Sequence, residues 1–380
     1  MIKVSKNKVE IPFSILEEYC KAVDKSLEVK DNIFISYREG KLSFFSQDKL
    51  DSMNVGSSVC LELEVESGHP PFSAGVDALR FLSLTKKLYE GTVTLTFTDS
   101  KLEVKEDNIK ASFAKAASRG RYNLPEFLSI KGDQKDWIVR GLSDCLSSIS
   151  ETSKTSATNK MIGILFDTQE GVSRICKFSQ ASLYILTAQA VFGSDFRMVF
   201  PDALAKIAKS FKSSIESILL SDNQAGLELQ SGTKIYMPKP FDTYPKDYVA
   251  HLHLSYALNV IPEGSPSYDF DVNSLINAID LVAVSLGDTD SWVNLSTVGR
   301  SNGRMVWRIG GKNYKDMEVQ EEITSSDGEA LEIFRVNKDR ALKALSLFKD
   351  NVTMYNLDPS VLGLSSTEGD MCAILVKARI

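Results

Sequence analysis

Apolar residues in this chain switch repeatedly between helical and strand spacing, and the switch follows the same order in three places. Each place has a helical segment, an apolar strand, a polar turn and a second strand. The stretches are FSAGVDALRFLSLTKKLYEGTVTLTFTDSKLEVKEDNIKASF, FRMVFPDALAKIAKSFKSSIESILLSDNQAGLELQSGTKIYM and EIFRVNKDRALKALSLFKDNVTMYNLDPSVLGLSSTEGDMCAILV. From the strand residue before the helix to the one after it, the spans Val76 to Val93, Phe200 to Ile218 and Val336 to Val352 are almost equal. The offsets between copies, from Val76 to Phe200 and from Phe200 to Val336, are a domain length rather than a solenoid period.

A second helix-then-strand pattern precedes each copy: IPFSILEEYCKAVDKSL, DWIVRGLSDCLSSISETSKTS and YDFDVNSLINAIDLVAVSL, with Ile11, Ile138 and Val272 at nearly the same offsets. The spacing predicts three domains, near residues 1–127, 128–254 and 255–380, each made of two similar halves with one helix and several strands per half. Alternation in TVTLTF, KLEVK and GLELQ, with turns at Asp99-Ser100 and Asp222-Asn223, predicts antiparallel strands. The helices are amphipathic: Leu79, Leu82 and Leu88 can face a sheet, with Arg80, Lys86 and Lys87 on or beside the other face. Helices on one side of antiparallel sheets define an α+β class.

Composition narrows this little. With 380 residues, 43% hydrophobic and 25% charged, the chain is of ordinary globular type. Neither MIKVSKNKVEI nor the apolar LINAIDLVAVSL, interrupted by Asp280, has the length of a signal or membrane segment, so a cytoplasmic protein without a membrane partner is expected. Cys20, Cys60, Cys145, Cys176 and Cys372 are scattered, without a CxxC pair, and read as small core residues. A formal charge of -6 argues against nucleic-acid binding unless the basic residues gather on one face.

The repeat order resembles that of the bacterial DNA polymerase III beta-subunit sliding clamps over essentially the whole chain. MIGILFD at Met161 to Asp167 stands where that family has a Leu-Asn-Gly strand start, and Tyr244-Pro245-Lys246-Asp247-Tyr248 where it has Phe-Pro-Asp-Tyr closing its second domain. Asn123-Leu124-Pro125-Glu126-Phe127 closes the first domain, and AILVKARI ends the chain on a strand. There are two departures. Phe178-Ser179-Gln180-Ala181-Ser182-Leu183 keeps only the leucine of the family's Thr-Asp-Gly-x-Arg-Leu, and Val376-Lys377-Ala378-Arg379-Ile380 replaces a methionine- and proline-rich end. Both mark a divergent member, cellular or viral.

The resemblance implies a non-enzymatic processivity factor without cofactor or metal, a homodimeric ring around duplex DNA that tethers a polymerase and clamp loader through short peptides. Helix arithmetic agrees. Six helices side by side at roughly 10 Å enclose a bore of only about 10 Å, whereas twelve from two chains leave about 28 Å, enough for a duplex roughly 20 Å across. The candidate DNA contacts are Arg80, Lys86 and Lys87; Lys206, Lys209 and Lys212, three apart and read as one side of a helix; Lys338, Arg340 and Lys343; and Lys154 and Lys160, which match family positions near DNA. The family's client cleft maps to Met161, Phe178, Leu183, Pro245, Val376, Ala378 and Ile380. Head-to-tail pairing of sheet edges is expected to involve Ile109, Ala111 and Phe113 on one chain and Val293 and Leu295 on the other.

Other chemistry is weaker. Gly310-Gly311-Lys312 is followed by Asn313 and lacks the earlier glycine of a phosphate loop. His251 and His253 lack a third ligand, and Asp288, Asp290, Asp316 and Glu151 form no matched acid and base. The competing class is a three-repeat scaffold for protein interactions that never touches DNA; channel charge and assembly separate it from a clamp.

Overall fold

The first strand of each repeating half leaves its own half and pairs with the strands of its sister. In this computed structural model the described residues are 3–5, 7–48, 56–65, 71–89, 91–116, 126–148, 163–169, 171–179, 182–189, 191, 196–240, 242, 266–286, 292–312, 318–326, 328–331, 333–358, 361–368 and 370–376. Among them the elements run as six copies of strand, helix and three strands, preceded by a short β1 (Lys3–Ser5).

The first half is β2 (Lys8–Pro12), α1 (Phe13–Ser26), β3 (Asn32–Arg38), β4 (Lys41–Gln47) and β5 (Ser58–Glu64). Next come β6 (Phe72–Asp77), α2 (Ala78–Thr85), β7 (Thr92–Phe97), β8 (Lys101–Glu106) and β9 (Ile109–Ala114). The third half is β10 (Leu128–Ile130), α3 (Gly132–Ser148), β11 (Ile164–Gln169), β12 (Val172–Ser179) and β13 (Ser182–Gln189). The fourth is β14 (Arg197–Phe200), α4 (Asp202–Ser210), β15 (Ile215–Leu220), β16 (Gln224–Leu229) and β17 (Thr233–Pro238). Then follow β18 (Ser267–Asp271), α5 (Val272–Leu286), β19 (Trp292–Ser301), β20 (Arg304–Lys312) and β21 (Glu318–Ser325). The last half is β22 (Phe334–Asn337), α6 (Lys338–Leu345), β23 (Asn351–Asp358), β24 (Val361–Ser366) and β25 (Met371–Val376).

The chain divides into two compact units, 1–139 with 200–240 and 140–199 with 241–380. The first holds the sheets β1-β2-β7-β8-β9 and β10-β15-β16-β17-β5-β4-β3-β6; the second holds β14-β11-β12-β13-β25-β24-β23-β18 and β21-β20-β19-β22. Exchange of first strands is visible throughout: β2 pairs with β7 while β6 pairs with β3, and β18 pairs with β23 while β22 pairs with β19. The units follow the eight-stranded sheets, each of which joins strands from two different repeats. The sequence repeat follows the exchanged pairs instead.

Alternation explains the faces. β7 buries Val93, Leu95 and Phe97, and β3 buries Ile33, Ile35 and Tyr37. In the first unit α1 lies on β5 and β17, with Tyr19 and Cys20 inward; the Tyr19 hydroxyl meets Ser46 Oγ at 3.0 Å. In the second unit α5 covers β20 and β21, over a cluster in which the buried Trp307 meets Tyr268 and Phe270 and donates to Ser325 Oγ at 3.0 Å. Helix starts recur as well: Asp77, Asp271 and Asn337 accept the backbone N–H three residues on, from Arg80, Ser274 and Arg340.

One expectation fails. Val293 and Leu295 lie in β19, a strand held between β20 and β22, and they are buried: Leu295 registers with Ile309 and Phe334, and Val293 with Val336. Backbone groups already paired on both sides offer no edge. The outer strands of that sheet are β21 and the short β22.

Gly226, inside β16, tests the packing: a Cβ there would stand 2.7 Å from the Ile235 carbonyl oxygen and 3.0 Å from the Tyr236 Cβ. Gly226→Ala is expected to cost about 1–3 kcal/mol, since backbone has to shift. A lowered urea midpoint checks it.

Candidate nucleic-acid interface

In the first unit α1 touches α2 and also α4, so the exposed sides of three helices belong to one body. α2 begins at its Asp77 cap, and the cap geometry places Arg80 in the first turn with its side chain exposed. Lys86 and Lys87 lie beyond the helix end rather than on it, in the turn whose N–H groups bond back to Leu82 and Leu84; both are exposed. α4 buries Leu204, Ala205, Ile207 and Ala208, which leaves Lys206 and Lys209 exposed together. Lys212 departs from expectation: the helix ends at Ser210, and Lys212 is exposed in the following 3-10 turn, Lys212–Ser214. Phe211 turns inward there and ends the regular exposure pattern.

α1, beside these helices, carries carboxylates that engage its neighbours. Glu17 pairs with Lys21 at 2.8 Å, and Glu18 accepts from the Ser231 hydroxyl at 2.9 Å. Asp24 reaches Lys86 at 3.3 Å and Lys30 at 3.5 Å, while the Lys25 ammonium sits 5.2 Å from the centre of the Phe211 ring. Lys30 is a cation at this surface that the helical pattern does not reveal, because it lies past the end of α1.

In the second unit α6 carries Lys338, Arg340 and Lys343; Arg340 is exposed and the two lysines are half-buried. Arg340 repeats the situation of Arg80, three residues after an Asx cap. α5 has neither lysine nor arginine and exposes Leu281 and Val284. Arg140 of α3 is engaged by Asp370 at 3.1 Å and Asp144 at 3.7 Å. Lys154 and Lys160 lie outside the described residues.

Of the expected client cleft, Met161, Pro245, Ala378 and Ile380 lie outside the described residues. The backbone places the rest on neighbouring strands: Phe178 pairs with Leu183 across β12 and β13, Leu183 pairs with Ile374 of β25, and Val376 ends β25 opposite Val361. Among the described residues no His, Cys, Asp and Glu group suits a metal. Gly310, Gly311 and Lys312 belong to strand β20, not a phosphate loop. Burial pushes the Cys20 and Cys372 thiols up to about 12, so they stay protonated at neutral pH and are poor nucleophiles. No described helix is long and apolar enough to cross a membrane.

Among sheet edges, β6 and β18 are partly closed by the chain that follows β9 and β21. Ala116 N–H bonds to the Gly75 carbonyl at 2.7 Å, and Ser326 N–H to the Asp269 carbonyl at 3.0 Å. β9 and β21 end their sheets, with Ile109, Ala111 and Phe113 on β9. They differ in charge: Lys110 is exposed on β9, and Glu321 and Glu322 lie on β21.

No protein-family model matches the chain, and no curated protein does. Solved structures do. The DNA polymerase III subunit beta from Pseudomonas aeruginosa is 16% identical with a TM-score of 0.76, covering 98% of this chain and 100% of that one. The DNA polymerase sliding clamp from Bacillus subtilis is 16% identical at TM-score 0.76, covering 99% and 100%. The Helicobacter pylori beta clamp bound to DNA ligase peptide is 14% identical at TM-score 0.74, covering 98% and 100%. Along nearly its whole length, the chain has the fold of the bacterial DNA polymerase III beta sliding clamps.

Proposed function

We infer that the protein is a non-enzymatic DNA sliding clamp in the cytoplasm, a homodimeric ring that encircles duplex DNA and tethers replication proteins to it. The observation that carries this reading is the end-to-end fold match with sliding clamps, in which neither chain has an unmatched domain of its own. The reading keeps three domains near 1–127, 128–254 and 255–380, and support for it comes from the exchanged strand pairs, which group the six halves two by two. The six α-helices among the described residues of one chain are too few to enclose a duplex at about 10 Å per helix, and twelve from two chains suffice.

DNA is held through phosphates, without base reading. Arg80, Lys87, Lys206, Lys209, Lys212 and Arg340 are the exposed cations best placed by their elements, with Lys86, Lys338 and Lys343 beside them. Clients dock by short peptides on the β12, β13 and β25 region around Phe178, Leu183 and Val376. Support for peptide docking comes by analogy with the Helicobacter pylori clamp, which binds a DNA ligase peptide. Phe178 stands where the family has a small polar residue, a difference in sequence that favours a different client peptide.

The ring closes where β9 of one copy meets β21 of the other. These are the long edges not bonded by following chain among the described residues, with Lys110 on β9, 3.3 Å from Glu103 of the adjoining strand, and Glu321 and Glu322 on β21, where Glu322 lies 2.8 Å from Arg308.

Loaded onto a nicked circular duplex, the protein is expected to remain bound through gel filtration and to run off after linearisation. Replacing Lys206, Lys209 and Lys212 together by Glu should weaken retention on the circle at low salt while leaving the melting temperature within a few degrees, as surface charges cost little stability. Equal loss from circular and linear DNA would rule out encirclement. In light scattering the protein should have about twice its chain mass of 42.0 kDa. Lys110→Glu is expected to shift it toward monomer and the added pair Glu321→Lys and Glu322→Lys to restore the dimer. A dimer indifferent to all three changes would place the interface elsewhere.

A further inference from the structure

Asp24 stands between two ammonium groups that come from different parts of the chain. Its Oδ2 lies 3.3 Å from Lys86, in the turn after α2, and its Oδ1 lies 3.5 Å from Lys30, in the segment after α1. Lys86 is mostly exposed, Asp24 partly so, and the Lys30 side chain keeps only 17% of its accessibility. A carboxylate with one oxygen on each of two ammoniums occupies the position and charge of a phosphodiester's two free oxygens. The same surface carries Lys87 and Arg80, exposed nearby on and after α2.

We propose that Asp24 is a built-in competitor of DNA phosphate, holding Lys30 and Lys86 in an anion cradle that a passing phosphodiester enters by displacing the carboxylate. The inference rests on the clamp reading and adds the means by which DNA contact at this surface is kept weak. Ion pairs as exposed as Asp24–Lys86 contribute little to stability, so exchange of one oxyanion for another there has little thermodynamic cost. As a phosphate leaves, the two ammoniums return to Asp24 rather than waiting unpaired for the next. A protein that must hold a duplex and still move along it gains from such a partner, because no single contact becomes a stopping point.

The alternative role for Asp24, fixing Lys86 so that it reaches DNA, has the opposite sign, and one substitution separates the two. Asp24→Asn keeps the size and removes the charge. On short linear duplex, where encirclement plays no part, the variant is expected to bind several-fold more tightly at low salt. Its log-log salt dependence should be steeper by about one to two, for one or two additional phosphates neutralised. Adding Lys86→Ala to Asp24→Asn should take back about half of that increase. Binding unchanged or weaker than the unaltered protein's, with the melting temperature retained, would overturn the proposal and assign Asp24 a positioning role. Failure of the clamp reading shows separately: the unaltered protein would then fail to be retained on closed circles, whatever Asp24→Asn does on linear DNA.

Discussion

The fold depends on satisfying the edges of three-stranded meanders. A meander of β3, β4 and β5, or of β19, β20 and β21, leaves unpaired N–H and C=O groups along both sides, and a helix can cover its face but not its edge. Here the free edge of each meander receives the first strand of the sister half. That exchange makes two halves inseparable, and it places each helix directly after a strand that already belongs to its sister's sheet. The remaining edges of β5 and β17, and of β13 and β25, meet one another, producing the two eight-stranded sheets. α1 sits over the first of these seams, touching both β5 and β17.

Basic residues on this chain are not simply scattered over an acidic protein. Arg80 and Arg340 follow helix caps, Lys86 and Lys212 lie past helix ends, and Lys206 and Lys209 sit on the exposed side of α4. Of the carboxylates of α1, Asp24 pairs with Lys86, Glu17 pairs with Lys21 of the same helix, and Glu18 accepts from Ser231. Cations and carboxylates interleaved in this way partly neutralise one another, and the pairs at such exposure are weakened further by salt. In the second unit α5 exposes Leu281 and Val284 and carries no lysine or arginine.

Much of this was legible in the chain. The three copies, with nearly equal spans across each helix, predicted the half-repeat and the α+β class, because the helix-then-strand switch has a different hydrophobic period on each side. What alternation does not reveal is whether a strand has one neighbour or two. VNLS in β19 reads the same whether β22 adds beside it or not, so Val293 and Leu295 looked like edge residues. Nor does charge spacing mark where a helix stops: Lys206, Lys209 and Lys212 keep a three-residue interval through the point at which Phe211 turns into the core. Lys30 was invisible for a similar reason, since its meeting with Asp24 depends on how the chain leaves α1 rather than on any period.

Edges left over after the exchange are the last consequence of the same constraint. β1, β10, β14 and β22 are three or four residues long, and such short strands are poor templates for another chain. β6 and β18 are blocked by Ala116 and Ser326. β9 and β21 remain, six and eight residues long, and it is these that carry opposite charge. An edge of that length ordinarily invites indiscriminate pairing, and charge is the usual means of preventing it; lysine on one and glutamate on the other repel like edges while leaving unlike ones compatible. The charges that keep an edge of this length from pairing with its own kind therefore leave it compatible with an edge of the opposite sign.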